Sequence, residues 1–230
     1  NNTGDKLILS AVTKGKTDLF LYSVIGNNQK QLTNDIFDDL SPRFVDNDTR
    51  IIFASNRIDD TIRKKIQTIQ YKNDKDIYIL DIDHIKRPLT RITKTPYIDE
   101  SSPNQHSKER YSYLSNANGI RNRYVAYYDS AISFIDTTVH YKYFSVTARM
   151  SNYSRDVLEY EPIEKSGTYS MLMLKNGKYH FYNGEYEKDR IIEDELVNTT
   201  FMSYWLKSKL NKNIPTILTS EGTEEIDSNY

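Results

Sequence analysis

The chain has 230 residues, a length that allows one large domain or two small ones with a proper hydrophobic core. Its 31 basic and 32 acidic residues balance, so bulk charge does not favour binding to nucleic acid or to a membrane surface. Cysteine is absent, which excludes disulfides, thiolate metal ligands and cysteine nucleophiles. No apolar run approaches the roughly 18 residues of a membrane helix, so we expect a soluble chain that does not span a membrane.

Residue usage favours strands joined by polar turns. The 19 tyrosines and many isoleucines are typical of strands, and with only 8 glycines the turns must use Asn and Asp. The first residues, "NNTGDK", contain neither a methionine nor an apolar signal segment, so we expect a processed protein or a piece of a longer one.

A repeated pattern dominates the first two thirds of the chain. "GDKLILSA" and "DLFLYSV" near the start parallel "NDTRIIFA" and "DIYILDI" further on. "LSPRFVDNDTRIIFASN" (Leu40–Asn56) is echoed by "DESSPNQHSKERYSYLSN" (Asp99–Asn116), with Ser-Pro and Ser-Asn at matching positions. Aliphatic-Ser/Thr turns at Leu32-Thr33, Leu89-Thr90 and Met150-Ser151 close successive units. Such repeats of short antiparallel strands without intervening helices predict propeller blades.

Later segments complete this prediction. Two insertions, Ile58–Asn73 and Asp129–Thr138, are expected at loop positions, and the alternation in Thr137–Ala148 predicts a half-buried strand. A fourth, weaker unit has a two-residue hairpin turn at Asn176-Gly177. Apolar spacing predicts a helix over Asp194–Asn211 that packs on or beyond the last blade.

The predicted fold class is therefore all-β: about three to four antiparallel propeller blades with a short C-terminal helix. Typical propellers close with about four to eight blades, so we expect part of a larger propeller. Residues 1–190 are assigned to the blades and residues 191–230 to the helix and a polar tail.

These residues resemble a known family. "LSPRFVDNDTRIIFASNR…DIYILDI…PLT" is similar to the TolB-like (WD-type) propeller repeat, although "VDNDT" and "QHSKE" replace the Asp-Gly turn of that family. The Asn- and Tyr-rich usage is also similar to large TolB-like envelope proteins of Bacteroidota. The resemblance implies a periplasmic or outer-membrane-associated scaffold whose partners are other envelope proteins.

Chemical motifs are absent from the sequence. The four histidines lie far apart without metal-ligand spacing, and no GxSxG nucleophile elbow or Gly-rich phosphate loop occurs. The acidic run Asn34–Asp39 lacks the spacing of a calcium loop and is interpreted as a solvated turn. We therefore predict no catalytic residue, no cofactor and no metal site.

Two groups of residues are candidates for partner binding. Exposed tyrosine rows can anchor protein partners, and a short basic loop adds charge; these candidates are Tyr124, Tyr127, Tyr128, Tyr141, Tyr143, Arg63, Lys64 and Lys65. The alternative interpretation is that about half of the tyrosines fill the interfaces between blades.

The leading functional hypothesis is a non-enzymatic protein–protein interaction scaffold of the cell envelope, in a secretion or outer-membrane assembly complex and peripheral to the outer membrane. The alternative is an accessory propeller of a peptidase or hydrolase whose catalytic domain lies outside this chain. A weaker alternative is a glycan-binding module that uses the tyrosine tract.

Overall fold

A computed structural model describes residues 1–58, 73–85, 87–186 and 190–212, with only the backbone described for Tyr143, Glu164, Asn211 and Lys212. Within these ranges the chain forms four antiparallel sheets, numbered here in chain order, in which each strand pairs with the next one along the chain. Sheet 1 contains β1 (Lys6–Thr13), β2 (Lys16–Ser23) and β3 (Asn28–Gln31). Sheet 2 contains β4 (Asp39–Val45), β5 (Arg50–Ser55), β6 (Asp76–Asp81) and β7 (Thr90–Arg91). Sheet 3 contains β8 (Glu100–Ser107), β9 (Arg110–Ser115), β10 (Asn122–Ile135) and β11 (Val139–Arg149). Sheet 4 contains β12 (Val157–Ile163), β13 (Thr168–Lys175) and β14 (Lys178–Glu185). A short 3-10 helix, Glu164–Ser166, precedes β13, and one α-helix, α1 (Thr200–Lys212), follows the sheets.

One hydrogen bond recurs in sheets 1 to 3 and defines the repeat. A backbone N–H donates to a turn hydroxyl in each sheet: Leu19 to Thr33 (2.9 Å), Ile77 to Thr93 (2.8 Å) and Arg123 to Ser151 (2.9 Å). The markers Leu32-Thr33 and Met150-Ser151 are thereby confirmed. The prediction of Leu89-Thr90 as the turn of sheet 2 is wrong, because Ile92-Thr93, three residues later, occupies the equivalent position.

The Ser-Pro pairs lie inside the first strand of sheets 2 and 3. Ser41 has a φ of 52° and Ser102 a φ of 50°. The pairing of β4 with β5 and of β8 with β9 shifts at these points, as a β-bulge does. The repeated Ser-Pro therefore bends the first strand of each sheet.

Successive sheets pack on one another through separate apolar clusters, each formed by two neighbouring sheets. Sheets 1 and 2 share Leu19, Leu32, Ile51, Phe53, Tyr78, Leu80 and Leu89. Sheets 2 and 3 share Val45, Ile52, Ala54, Ile77, Ile79, Ile92, Tyr111, Tyr113 and Ala126. Sheets 3 and 4 share Leu114, Val157, Tyr160 and Met171. This sequential packing of three- and four-stranded antiparallel sheets is that of propeller blades, and it confirms the predicted fold class.

The inner strands β4, β8 and β12 lie side by side. Arg43 Nε donates to Asn104 Oδ1 at 3.4 Å, and Asn104 Nδ2 donates to the carbonyl of Tyr160 at 3.0 Å. By the register of the repeat, β1 to β3 correspond to β5 to β7. Among the described residues, sheet 1 therefore contains no strand equivalent to β4.

The predicted turn at Asn176-Gly177 is confirmed. Asn176 has a φ of 53° and Gly177 a φ of 71°, and the turn joins Lys175 directly to its cross-strand partner Lys178. Two positive φ values at the centre of a two-residue loop are those of a type I′ turn.

The helix α1 starts six residues later than predicted, because Thr199 caps it: its Oγ1 accepts the backbone N–H of Met202 at 3.1 Å. The helix packs through Met202 and not through its larger apolar side chains. Phe201, Tyr204 and Leu210 are exposed, whereas Met202 is buried. In the part of the chain that the structure describes, no helix has the length and apolar character needed to cross a membrane.

Candidate interaction surface on the β10–β11 hairpin

The hairpin formed by β10 and β11 extends well past the rest of sheet 3. β9 pairs with β10 only as far as Tyr127, and beyond that residue β11 is the only described strand that pairs with β10. We call residues 128–145 the ribbon. The predicted loop Asp129–Thr138 is wrong, because Asp129–Ile135 continues β10 and only Asp136–Thr138 turns.

Apolar side chains cover the ribbon and remain open to solvent. Their exposed fractions lie between 40% and 67%, for Tyr128, Ile132, Phe134, Ile135, Val139, Tyr141 and Phe144. The strand predicted over Thr137–Ala148 is confirmed as β11, but it is mostly exposed and not half-buried, since none of the described sheets packs on the outer part of the ribbon. The result is an apolar two-stranded ribbon that projects from the third sheet.

Tyr124 and Tyr127 lie at the base of the hairpin and are half-buried. The ring of Tyr124 lies 5.8 Å from that of Tyr113 and packs against the cluster between sheets 2 and 3. Burial raises the pKa of Tyr124. The guanidinium of Arg110 lies 4.9 Å from the ring centre of Tyr127. These two tyrosines pack against other side chains of the fold. This agrees with the alternative that about half of the tyrosines have a packing role.

The other candidate tyrosines belong to the ribbon. Tyr128 donates its hydroxyl to the carbonyl of Arg91 at 2.8 Å, which ties the base of the ribbon to the outer strand of sheet 2. Tyr141 faces solvent opposite Ile132, and the backbone of Tyr143 lies opposite Ser130. The basic candidates Arg63, Lys64 and Lys65 lie outside the described residues.

The sequence reasoning missed the aliphatic and phenylalanine residues of the ribbon, Ile132, Phe134, Ile135, Val139 and Phe144. A signal was present: apolar residues stand on both sides of "DTT", a polar turn, in an alternating pattern typical of a hairpin. Assigning the segment to a loop hid that pattern.

The tip of the ribbon is held by local contacts. Asp136 Oδ1 accepts the backbone N–H of Thr138 at 2.8 Å, and this bond, with a further contribution from His140, lowers the pKa of Asp136. The imidazole of His140 stacks on Phe134 with ring centres 4.1 Å apart. A tip ordered in this way presents its apolar side chains in one arrangement, which lowers the entropic cost of binding.

A buried ion-pair network lies away from the ribbon, at the junction of sheets 1 and 2. Asp18, Asp35 and Asp39 bring carboxylate oxygens within 4.8 Å of one another, and all three side chains are buried. Arg57, also buried, donates to Asp35 at 3.0 Å and to Asp39 at 2.6 Å. The interpretation of Asn34–Asp39 as a solvated turn is therefore wrong for Asp35 and Asp39, which form internal ion pairs.

The fold is similar to those of solved TolB structures. TolB from Acinetobacter baumannii matches with a TM-score of 0.53 and 12% identity, over 80% of this chain and 39% of that one. A putative TolB from Agrobacterium tumefaciens matches with a TM-score of 0.56 and 13% identity, over 80% of this chain and 58% of that one. The chain thus spans about two fifths and three fifths of these structures, and the likeness shows a TolB-like propeller fold. No protein-family model matches the sequence, and a search of curated proteins finds no match.

Proposed function

We propose that this chain is a non-enzymatic interaction module of the bacterial cell envelope and that the ribbon is its docking surface for a partner protein. The observation that carries the proposal is the projecting pair of strands, ordered along its length by backbone pairing and covered by exposed apolar side chains. Contiguous exposed apolar surface of this kind is typical of interaction sites.

The chemistry of the ribbon favours a protein partner. Its aromatic residues Tyr128, Phe134, Tyr141 and Phe144 supply rigid contact area, and such side chains carry much of the binding energy at protein interfaces. Charges are few and of both signs, with Asp129, Asp136 and Lys142 along residues 128–145. We therefore expect affinity to depend on apolar burial and to change little with salt.

The location in the cell envelope is a second, more specific part of the proposal. It is supported by the resemblance of the repeat to TolB-type sequences and by the TolB-like fold. The proposed setting is the periplasm or the inner face of the outer membrane, within a secretion or outer-membrane assembly complex.

A shortened hairpin tests the docking surface. Asp129 and Phe144 are cross-strand partners, so residues 130–143 can be replaced by Asn-Gly, the turn that this chain already uses between Lys175 and Lys178. The variant should keep the circular dichroism and melting temperature of the wild type, because the removed side chains lie outside the clusters between sheets. It should lose at least about tenfold in affinity for the envelope partner.

The partner is identified by site-specific photo-crosslinking in intact cells. A photoreactive residue at Ile135 should give one dominant adduct, and the same residue at Ile25, an even more exposed apolar position in the turn between β2 and β3, should not. Equal adducts from both positions, or none from Ile135, would contradict docking through the ribbon. An adduct with a cytoplasmic protein would contradict the envelope location alone.

A further inference from the structure

Arg123 occupies a position that is aliphatic in the preceding sheets. The repeated hydrogen bond to the turn hydroxyl makes it equivalent to Leu19 and Ile77, both of which are fully buried. Arg123 is only 4% exposed. The third sheet thus places a guanidinium where the others place a hydrocarbon side chain.

Three tyrosine rings surround this guanidinium. Its central carbon lies 4.7 Å from the ring centre of Tyr169, 5.0 Å from that of Tyr160 and 5.7 Å from that of Tyr153. One terminal nitrogen donates to the Tyr153 hydroxyl at 3.4 Å, and Nε is buried without a hydrogen-bond partner.

The charge of Arg123 lacks an internal counter-ion in residues 1–58, 73–85, 87–186 and 190–212, where no carboxylate forms an ion pair with it. The contrast within the chain is clear, because the buried Arg57 is neutralised by Asp35 and Asp39. A buried charge without a partner is costly, and contacts with aromatic rings offset only part of that cost. An anion supplied from outside the chain would complete the arrangement.

A cleft of about 430 Å³ opens beside this cluster. Tyr153 and Tyr169 line it and also contact Arg123, while Arg155 and Lys175 add two further cations to its wall. Met171, Met173 and Tyr182 supply an apolar surface, and none of the described residues lining the cleft is acidic. The cleft thus combines positive charge with a hydrophobic wall.

The position of the Tyr169 ring is built into the sheet. Tyr169 lies opposite Gly184 across β13 and β14, and a Cβ atom on Gly184 would lie only 2.6 Å from the ring and its hydroxyl. Burial raises the pKa of Tyr153, so its phenol stays protonated at neutral pH and can donate a hydrogen bond. Tyr153 is therefore placed as a neutral donor at the edge of the cleft, beside the fixed ring of Tyr169.

We propose that this cleft binds a small organic oxyanion with an apolar body, such as an aromatic or branched carboxylate. The phenol of Tyr153, polarised by the guanidinium of Arg123, and the cations Arg155 and Lys175 would hold the oxyanion, and the methionines would contact the apolar body. The site is separate from the ribbon, so the proposal does not rest on the proposed docking function.

The experiment compares benzoate, benzamide and inorganic phosphate as probes of thermal stability. Benzoate and benzamide share size and shape but differ in charge, and phosphate is an oxyanion without an apolar body. At tenfold excess over its dissociation constant, benzoate should raise the melting temperature of the wild type by about 3–6 °C, and the other two should raise it by less than half as much.

Three variants assign the effect to the cleft. Arg123→Leu restores the residue type of the equivalent position Leu19, so it should fold, melt at or above the wild-type temperature without a ligand and lose the benzoate shift. Arg155→Met, at an exposed position, should weaken benzoate binding about threefold to tenfold without unfolding the chain. Lys30→Met, which removes an exposed cation in sheet 1, should leave the shift unchanged.

Three results would overturn the proposal: no shift with benzoate, an equal shift with benzamide, or a benzoate shift that survives Arg123→Leu. A phosphate shift as large as that of benzoate would overturn the role of the apolar wall. If Arg123→Leu does not fold, the Arg155→Met result decides, since an unchanged benzoate affinity there removes the cleft as the site.

Discussion

Arg57 shows how a single buried residue organises the junction between two blades. Its guanidinium bonds to Asp35 and Asp39 and lies within 5.7 Å of the ring centres of Phe53 and Tyr78. Both carboxylates and the guanidinium have lost their water, so each depends on the others for compensation. The loop that carries Asp35, the strand that begins at Asp39 and the end of β5 are held together by this one side chain.

Removal of Arg57 should therefore be severe. Arg57→Met leaves two buried carboxylates unpaired, and we expect the free energy of unfolding in urea to fall by about 3–5 kcal/mol. Arg43→Met is the matched control, because Arg43 meets Glu161 at 3.6 Å with both side chains about half exposed. That pair should contribute no more than about 1 kcal/mol. Equal losses in the two variants would contradict the internal role of Arg57.

At the scale of elements, the helix α1 docks by close approach to a turn. Gly119, with a φ of 90°, ends the turn between β9 and β10, and a Cβ atom there would collide with Thr199 Oγ1 and lie 3.0 Å from Met202 Cβ. Thr199 also donates to the carbonyl of Asn118 through its backbone N–H and its hydroxyl, both at 2.9 Å. The cap of the helix and its anchor on sheet 3 are thus the same residue.

Gly119→Ala should displace the helix. Trp205, the single tryptophan of the chain, lies on α1 and reports its docking through fluorescence. We expect a red shift of the emission maximum and easier quenching by iodide. Gly177→Ala is the control: its φ of 71° imposes a similar backbone strain of about 1 kcal/mol, but nothing lies within 4 Å of the added Cβ. The same spectral change in both variants would show that strain, and not the collision, acts on the helix.

At the scale of the whole molecule, stability is divided among the interfaces between successive sheets. Among the described residues, the cluster between sheets 2 and 3 contains the most buried apolar side chains and the cluster between sheets 3 and 4 the fewest. Arrays in which each unit contacts its neighbours have stabilities that approximate a sum of unit and interface contributions. Sheet 4 is therefore expected to open before the central pair.

Hydrogen exchange tests this order. Met171→Ala should further weaken the interface between sheets 3 and 4, because a buried methionine contributes about 2–5 kcal/mol to the free energy of unfolding. Exchange of the amides of β13 and β14 should accelerate by at least about tenfold. The amides of β5 and β6 should exchange at the wild-type rate. Uniform acceleration over all four sheets would mean that the described chain unfolds as one cooperative unit.

Features carried by neighbouring residues were predictable. The turn at Asn176-Gly177 and the apolar strands around Ile51 and Ile77 follow from local conformational preferences and alternation. The first strand of the ribbon was predicted as a loop, because the sequence alone does not show whether an apolar segment with polar flanks pairs with the following strand. Among the candidate site residues, the sequence could not separate Tyr124, which packs against Tyr113, from Tyr141, which faces solvent, because both stand in strand-like alternation.

The repeated strands, the all-β class and the absence of cysteine chemistry can be inferred from the sequence, because those properties belong to composition and to short-range pattern. Which charges meet depends on the tertiary packing: Arg57 pairs with Asp35 and Asp39, whereas Arg123 contacts three tyrosines beside an open cleft. Burial and the pairing of charges depend on residues far apart in the chain. Two arginines of the same type therefore differ in the cost of burial, because the sheets around them supply different partners.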